Sequence, residues 1–119
     1  MKQTYISDIL NGSLPGQLTR VMGWVKARRD HGTTVFLDVV DSTGMIQIVA
    51  LRGMVSEDQF DACRRVTIES SIQIDGTVVE MTSGGRQGLE VRASDVKIIN
   101  LATLHVSPKV RDDLDIFDE

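Results

Sequence analysis

Between Thr34 and Ala50 the chain repeats one pattern on either side of four turn residues. Val35, Leu37 and Val39 alternate with Phe36 and Asp38, and beyond Asp41-Ser42-Thr43-Gly44 the residues Ile46 and Ile48 alternate with Gln47. A period of two marks a strand buried on one face and open on the other, so this stretch predicts an antiparallel hairpin. Gly44 supplies a residue that takes the left-handed conformation without steric cost. Symmetric pairing about the turn sets Asp38 opposite Gln47 and Phe36 on the diagonal, within side-chain reach. A bulge at Gly44 would shift that register by one residue.

The flanking segments extend the same theme. Leu18–Ala27 predicts a first strand, with Val21, Gly23, Val25 and Ala27 on one face and Arg20, Met22, Trp24, Lys26 and Arg28 on the other. Asp30, His31 and Gly32 form the turn into the hairpin. Ile68–Glu80 predicts a fourth strand; Leu89–Ile99 predicts a fifth, interrupted at Ser94 and Asp95, with a loop over Ser83–Gly88 before it. Two helices interleave. Tyr5, Ile6, Ile9 and Leu10 have helical spacing, and Ser56–Val66 carries an N-cap serine, acids in its first turn and Arg64 and Arg65 in its last. Five short strands with a helix between the third and fourth give an all-β chain of OB-fold order, a small Greek-key barrel, preceded by a short N-terminal helix. Other small barrels share that strand count, so function has to come from the site.

At 119 residues the chain has room for one domain and one core. No apolar run approaches the roughly 20 residues of a membrane span, and Ser7 and Asp8 interrupt any secretory signal, so a cytosolic location is the expectation. Cys63 stands alone, as a small apolar helix residue. The formal charge of −4 is unlike that of most nucleic-acid binders. However, residues 112–119 hold five acids and no base, so residues 1–111 carry 13 bases against 12 acids.

No self-sufficient active site is present. His31 and His105 lie in no ligand or nucleophile pattern, and Gly84, Gly85 and Gly88 open no helix. Asp38 and Asp41 read as ordinary carboxylates that pair with Lys26, Arg28 and Arg29 or cap the turn. Single-stranded nucleic acid asks for something else, aromatic faces for bases and cations for phosphates. Phe36 beside Lys26, Arg28 and Arg29 meets that need, with Gln47 placed to read a base edge. Periodicity alone equally allows Phe36 to close the barrel end and the arginines to form a solvated rim. Trp24 is assigned to the barrel's structure, since a tryptophan between glycine and valine near a strand centre more often covers a barrel than stacks a base.

The stretch GWVKARRDHGTTVFLDVVDSTGMIQIV, with IDGTV further on, resembles the N-terminal anticodon-binding domain of class IIb aminoacyl-tRNA synthetases. The aspartyl and asparaginyl forms are the nearest and the lysyl form is more distant; the likeness covers nearly the whole chain. It implies binding of an aspartate- or asparagine-type tRNA, with Phe36 stacking on an anticodon base and Gln47 recognising the central uridine. It also implies that Arg28 contacts the anticodon, while Lys26, Arg29 and His31 touch phosphates or the loop. Ala27 and Val40 depart from the arginines many aspartyl enzymes carry, which leaves one phosphate contact and one charged pair open.

In that family ATP, Mg and amino-acid activation belong to a catalytic domain outside these residues. The resemblance therefore implies no catalytic residue, metal or cofactor for this chain, and a parent that is a homodimeric aminoacyl-tRNA ligase of protein biosynthesis. Residues 1–108 are expected to form the domain, and the acidic residues 109–119 the start of a hinge. The alternative is a free-standing OB-fold module for single-stranded nucleic acid in general, or for protein.

Overall fold

The computed structural model describes residues 1–81 and 88–101. The acidic stretch 109–119 lies outside them, as do His105 and most of the expected 83–88 loop. Seven elements follow in order: α1 (Ile6–Gly12), β1 (Leu18–Asp30), β2 (Thr34–Val40), β3 (Met45–Leu51), α2 (Glu57–Arg65), β4 (Ser71–Glu80) and β5 (Leu89–Asn100). The strands close into a barrel in the order β1-β2-β3-β5-β4, with β3 parallel to β5 and the other pairs antiparallel. This is the expected five-stranded OB-fold.

The core follows the alternation. Val21, Val25, Val35, Leu37, Val39, Ile48, Ile74, Val78 and Val91 are fully buried inside the barrel. At Gly23 β1 crosses close over β2, and a Cβ there would lie 2.1 Å from the Val40 carbonyl oxygen. Only glycine permits that approach. The helices complete the core from outside. In α2 the Ser56 side chain accepts from the Gln59 amide at 3.1 Å, and Phe60 and Cys63 turn inward. Burial pushes the Cys63 thiol up to about 11, so it stays neutral. Helix α1 buries Ile6 and Ile9, and its first amides are met by the hairpin turn: Ile6 N–H donates to Asp41 Oδ2 at 2.9 Å and Ser7 N–H to Thr43 Oγ1 at 3.0 Å.

The hairpin pairs as expected, and the structure alters four other local expectations: the turn, the start of β4, the course of β5 and the register of β1. The hairpin has no bulge at Gly44, so Asp38 does pair with Gln47. The turn is held instead by Asp41 Oδ1, which accepts from Thr43 N–H at 2.7 Å and Gly44 N–H at 3.1 Å; the left-handed glycine is Gly32, at φ 86° in the preceding turn. β4 begins at Ser71 because Thr67–Ser70 turns first, with Glu69 at φ 75°. Ser94 does not end β5: it is an extra residue opposite Asp75 and Gly76, and the ladder resumes beyond it. The fourth difference, in β1, reshapes the site.

Candidate functional site

Facing positions on β1 and β2 advance in step from Trp24 opposite Val40 to Val25 opposite Val39, and then skip Lys26, so that Ala27 pairs with Asp38. One extra residue reverses every side chain after it. Arg28 and Asp30, paired with Leu37 and Val35, thus turn to the inner side at the barrel end. There Arg28 Nη1 donates to the Arg64 carbonyl oxygen, and Arg64 pairs with Asp30 at 3.0 Å. Asp30 is held below the usual carboxylate range by the Gly32 amide and then by Arg64. Simple alternation places Arg28 on the outer face; the bulge puts Arg29 there.

Three rows of side chains result on the outer face. The first reads Arg92, Val49, Phe36, Arg29 across β5, β3, β2 and β1; the second reads Glu90, Gln47, Asp38, Ala27; the third reads Met45, Val40, Trp24. In the first, the half-buried Phe36 ring stands between His31, edge-on at 5.3 Å, and the Arg29 guanidinium, 5.9 Å from its centroid. In the second, Arg29 grips Asp38 with two hydrogen bonds of 3.1 Å and donates a third to Gln47 Oε1 at 3.0 Å. Gln47 Nε2 in turn donates to Glu90 Oε1 at 2.8 Å. Both Gln47 and Glu90 are only 8% exposed.

The chain Asp38–Arg29–Gln47–Glu90 does two things. It keeps Arg29 charged, the hydrogen bond to Asp38 raising a guanidinium that is already a strong base. It also fixes the Gln47 amide, oxygen toward a cation and nitrogen toward a carboxylate, so donor and acceptor occupy defined places. The sequence reading missed Glu90. Its outward parity beside Val91 and Ala93 was readable, but its meeting with Gln47 depends on the parallel β3–β5 pairing.

The other expected site residues spread around this centre. His31 packs on Phe36, whereas Lys26 sits at the bulge and pairs with Glu69 at 2.6 Å. Arg92 is exposed and makes no ion pair among the described residues. Trp24 faces outward, as its alternation with Met22 predicts, and is 39% exposed. No helix is long and apolar enough to cross a membrane among the described residues.

A family described as an OB-fold nucleic acid binding domain, of the tRNA anticodon type, matches residues 19–99. An aspartate–tRNA ligase of Shouchella clausii is 36% identical over 108 residues, which are 90% of this chain and 18% of that protein. An asparagine–tRNA ligase of Pyrococcus abyssi is 33% identical over 99 residues, 83% of this chain and 22% of that protein. Among solved structures, an asparaginyl-tRNA synthetase from Pyrococcus horikoshii complexed with asparaginyl-adenylate superposes with a TM-score of 0.79 at 27% identity, covering 92% of this chain and 25% of that one. The chain thus spans about a fifth of the length of the curated relatives it matches.

Proposed function

The chain belongs to the OB-fold nucleic acid binding domain family of the tRNA anticodon type, and from that premise we propose that its outer face binds the anticodon of an aspartate- or asparagine-type tRNA. One observation carries the reading. A supported aromatic ring, Phe36, stands one row from Gln47, an amide held in a single orientation by Arg29 and Glu90. Stacking on Phe36 holds a base without regard to identity. Gln47 adds selectivity, because a uracil imide edge offers a donor beside acceptors and an amide complements both.

Arg29 is the arginine we assign to the bound strand, since it touches both Phe36 and Gln47, whereas Arg28 is engaged at the end of α2. Arg92, flanking the first row from β5, is a phosphate contact in this reading; His31 supports the ring, and Lys26 is a peripheral cation. The wider reading is a cytosolic aminoacyl-tRNA ligase that uses this domain to select its tRNA and charges it elsewhere in a longer protein.

A general single-strand binder is the competing reading, and the charge arrangement speaks against it. Arg20, Lys26, Arg29, Arg52, Arg64 and Arg65 each pair with a carboxylate, which leaves little net field to attract phosphates of any sequence. Titration of a fluorescein-labelled anticodon stem-loop with Phe36→Ala and Gln47→Ala variants tests the proposal. Each variant is expected to weaken binding by about 5- to 150-fold, the equivalent of roughly 1–3 kcal/mol, while still melting cooperatively as a folded domain. Unchanged affinity in both would place the binding face elsewhere.

A further inference from the structure

The third row of the face takes no part in the function proposed above. Trp24, 39% exposed, pairs with Val40, which pairs with Met45, 54% exposed; Met22, 36% exposed, follows two residues back along β1. Together they form an apolar strip on the side of the sheet that carries Phe36 and Gln47. The strip is firmly seated. The Gly23 crossing presses β1 onto the Val40 carbonyl, which fixes the strand that bears the indole.

We infer that Trp24, with Val40 and Met45 as its ledge, is a second stacking platform for an unpaired nucleotide next to the one read by Gln47. This rests on the anticodon-binding reading and extends it from one aromatic to two. Spacing and continuity carry the argument. Phe36, Asp38 and Val40 are successive outward residues of β2, so Phe36 and the Trp24 row stand roughly 13 Å apart, with the Gln47 row midway. Neighbouring stacked nucleotides rise only about 3.4 Å. A strand that reached both aromatics would therefore be splayed across the sheet, one base per row, as unpaired RNA is when its bases are presented to aromatic side chains. The order of chemistry along the face, aromatic, amide, aromatic, suits three consecutive unpaired bases. Trp24 presents the largest π face in the chain, and tryptophan with an open ring face is the side chain best suited to take up a base.

Trp24 is the only tryptophan, so its emission reports on this platform alone. The 119-residue chain is titrated with an anticodon stem-loop while RNA anisotropy and tryptophan emission are followed together. Emission is expected to quench along the anisotropy isotherm. An abasic residue on one side of the central nucleotide is expected to abolish that quenching. Trp24→Leu is expected to lose about 5- to 150-fold in affinity, and Trp24→Phe to retain most of it. RNA binding with unquenched emission, with quenching that neither flanking abasic site changes, or with an unaffected Trp24→Leu variant would overturn the second platform and leave the anticodon reading standing. Failure of the wild-type chain to bind the stem-loop at all would overturn both. Should Trp24→Leu not fold, the wild-type emission and abasic titrations decide alone.

Discussion

Replacing Arg29 and Arg28 one at a time separates two adjacent residues that sequence alone makes look equivalent. Arg29 makes three hydrogen bonds, two of 3.1 Å to Asp38 and one of 3.0 Å to Gln47, and lies 5.9 Å from the Phe36 centroid. Its side chain is 39% exposed, so solvent discounts the ion pair and its loss costs folding no more than about 1 kcal/mol. Binding depends on it more steeply. Arg29→Ala removes a charged contact to the RNA worth about 1.5–3 kcal/mol and takes away the hydrogen bond that Gln47 Oε1 accepts from it. The expected loss is roughly 10- to 150-fold in affinity, and the slope of log affinity against log salt falls by about one. Arg28→Ala removes the bond to the Arg64 carbonyl and a cation near Asp30, both away from Phe36 and Gln47. It is expected to lower the melting temperature modestly and leave affinity and salt slope unchanged. Stem-loop anisotropy at two salt concentrations, with thermal melts of each variant, reads affinity, salt slope and stability together. A large affinity loss in Arg28→Ala with none in Arg29→Ala would refute the bulge-based assignment.

Two further predictions concern the scaffold. Gly23→Ala puts a Cβ 2.1 Å from backbone, which cannot give way as a side chain tip would, so the midpoint of urea unfolding should fall by the equivalent of about 1–3 kcal/mol or more; an unchanged midpoint would mean β1 and β2 are not this close. Burial tends to raise Asp41, but hydrogen bonds from Thr43, Ile6 and Gly44 outweigh it and hold the carboxyl below its ordinary value. A lowered folded-state pKa gives stability that is complete above the unfolded value, near 3.9, and is lost as pH falls through the lower folded one. Wild type should therefore lose stability below about pH 4 more steeply than Asp41→Asn, and parallel acid profiles would show that the carboxylate does not tie α1 to the hairpin.

The hairpin was legible because alternation is strict from Val35 to Ile48 and the turn is short. Those two facts fixed the facing of Asp38 and Gln47. The Ser56 cap was legible for a similar reason, since capping depends on residues three apart. The site beyond the hairpin was less so. Nothing in Val25-Lys26-Ala27 announces an extra residue, yet the bulge there decides which arginine meets Phe36. Glu90 is 43 residues from Gln47, and only barrel closure brings them to 2.8 Å. The parity of Trp24 places it on the outer face, where it lies 39% exposed. Local periodicity set the faces of strands; long-range pairing set which residues became neighbours on them.

The central claim is that this face reads a uridine, beyond attracting RNA. Its most direct test is an anisotropy titration of the chain with two anticodon stem-loops that differ only in the central base, uridine in one and cytidine in the other, each at low and high salt. Cytidine replaces the imide N–H donor with an acceptor, which leaves a Gln47 function unpaired and costs roughly 1–3 kcal/mol. The account predicts tighter binding of the uridine stem-loop by about 5- to 150-fold at both salt concentrations. Equal affinity for the two, falling together as salt rises, would contradict it.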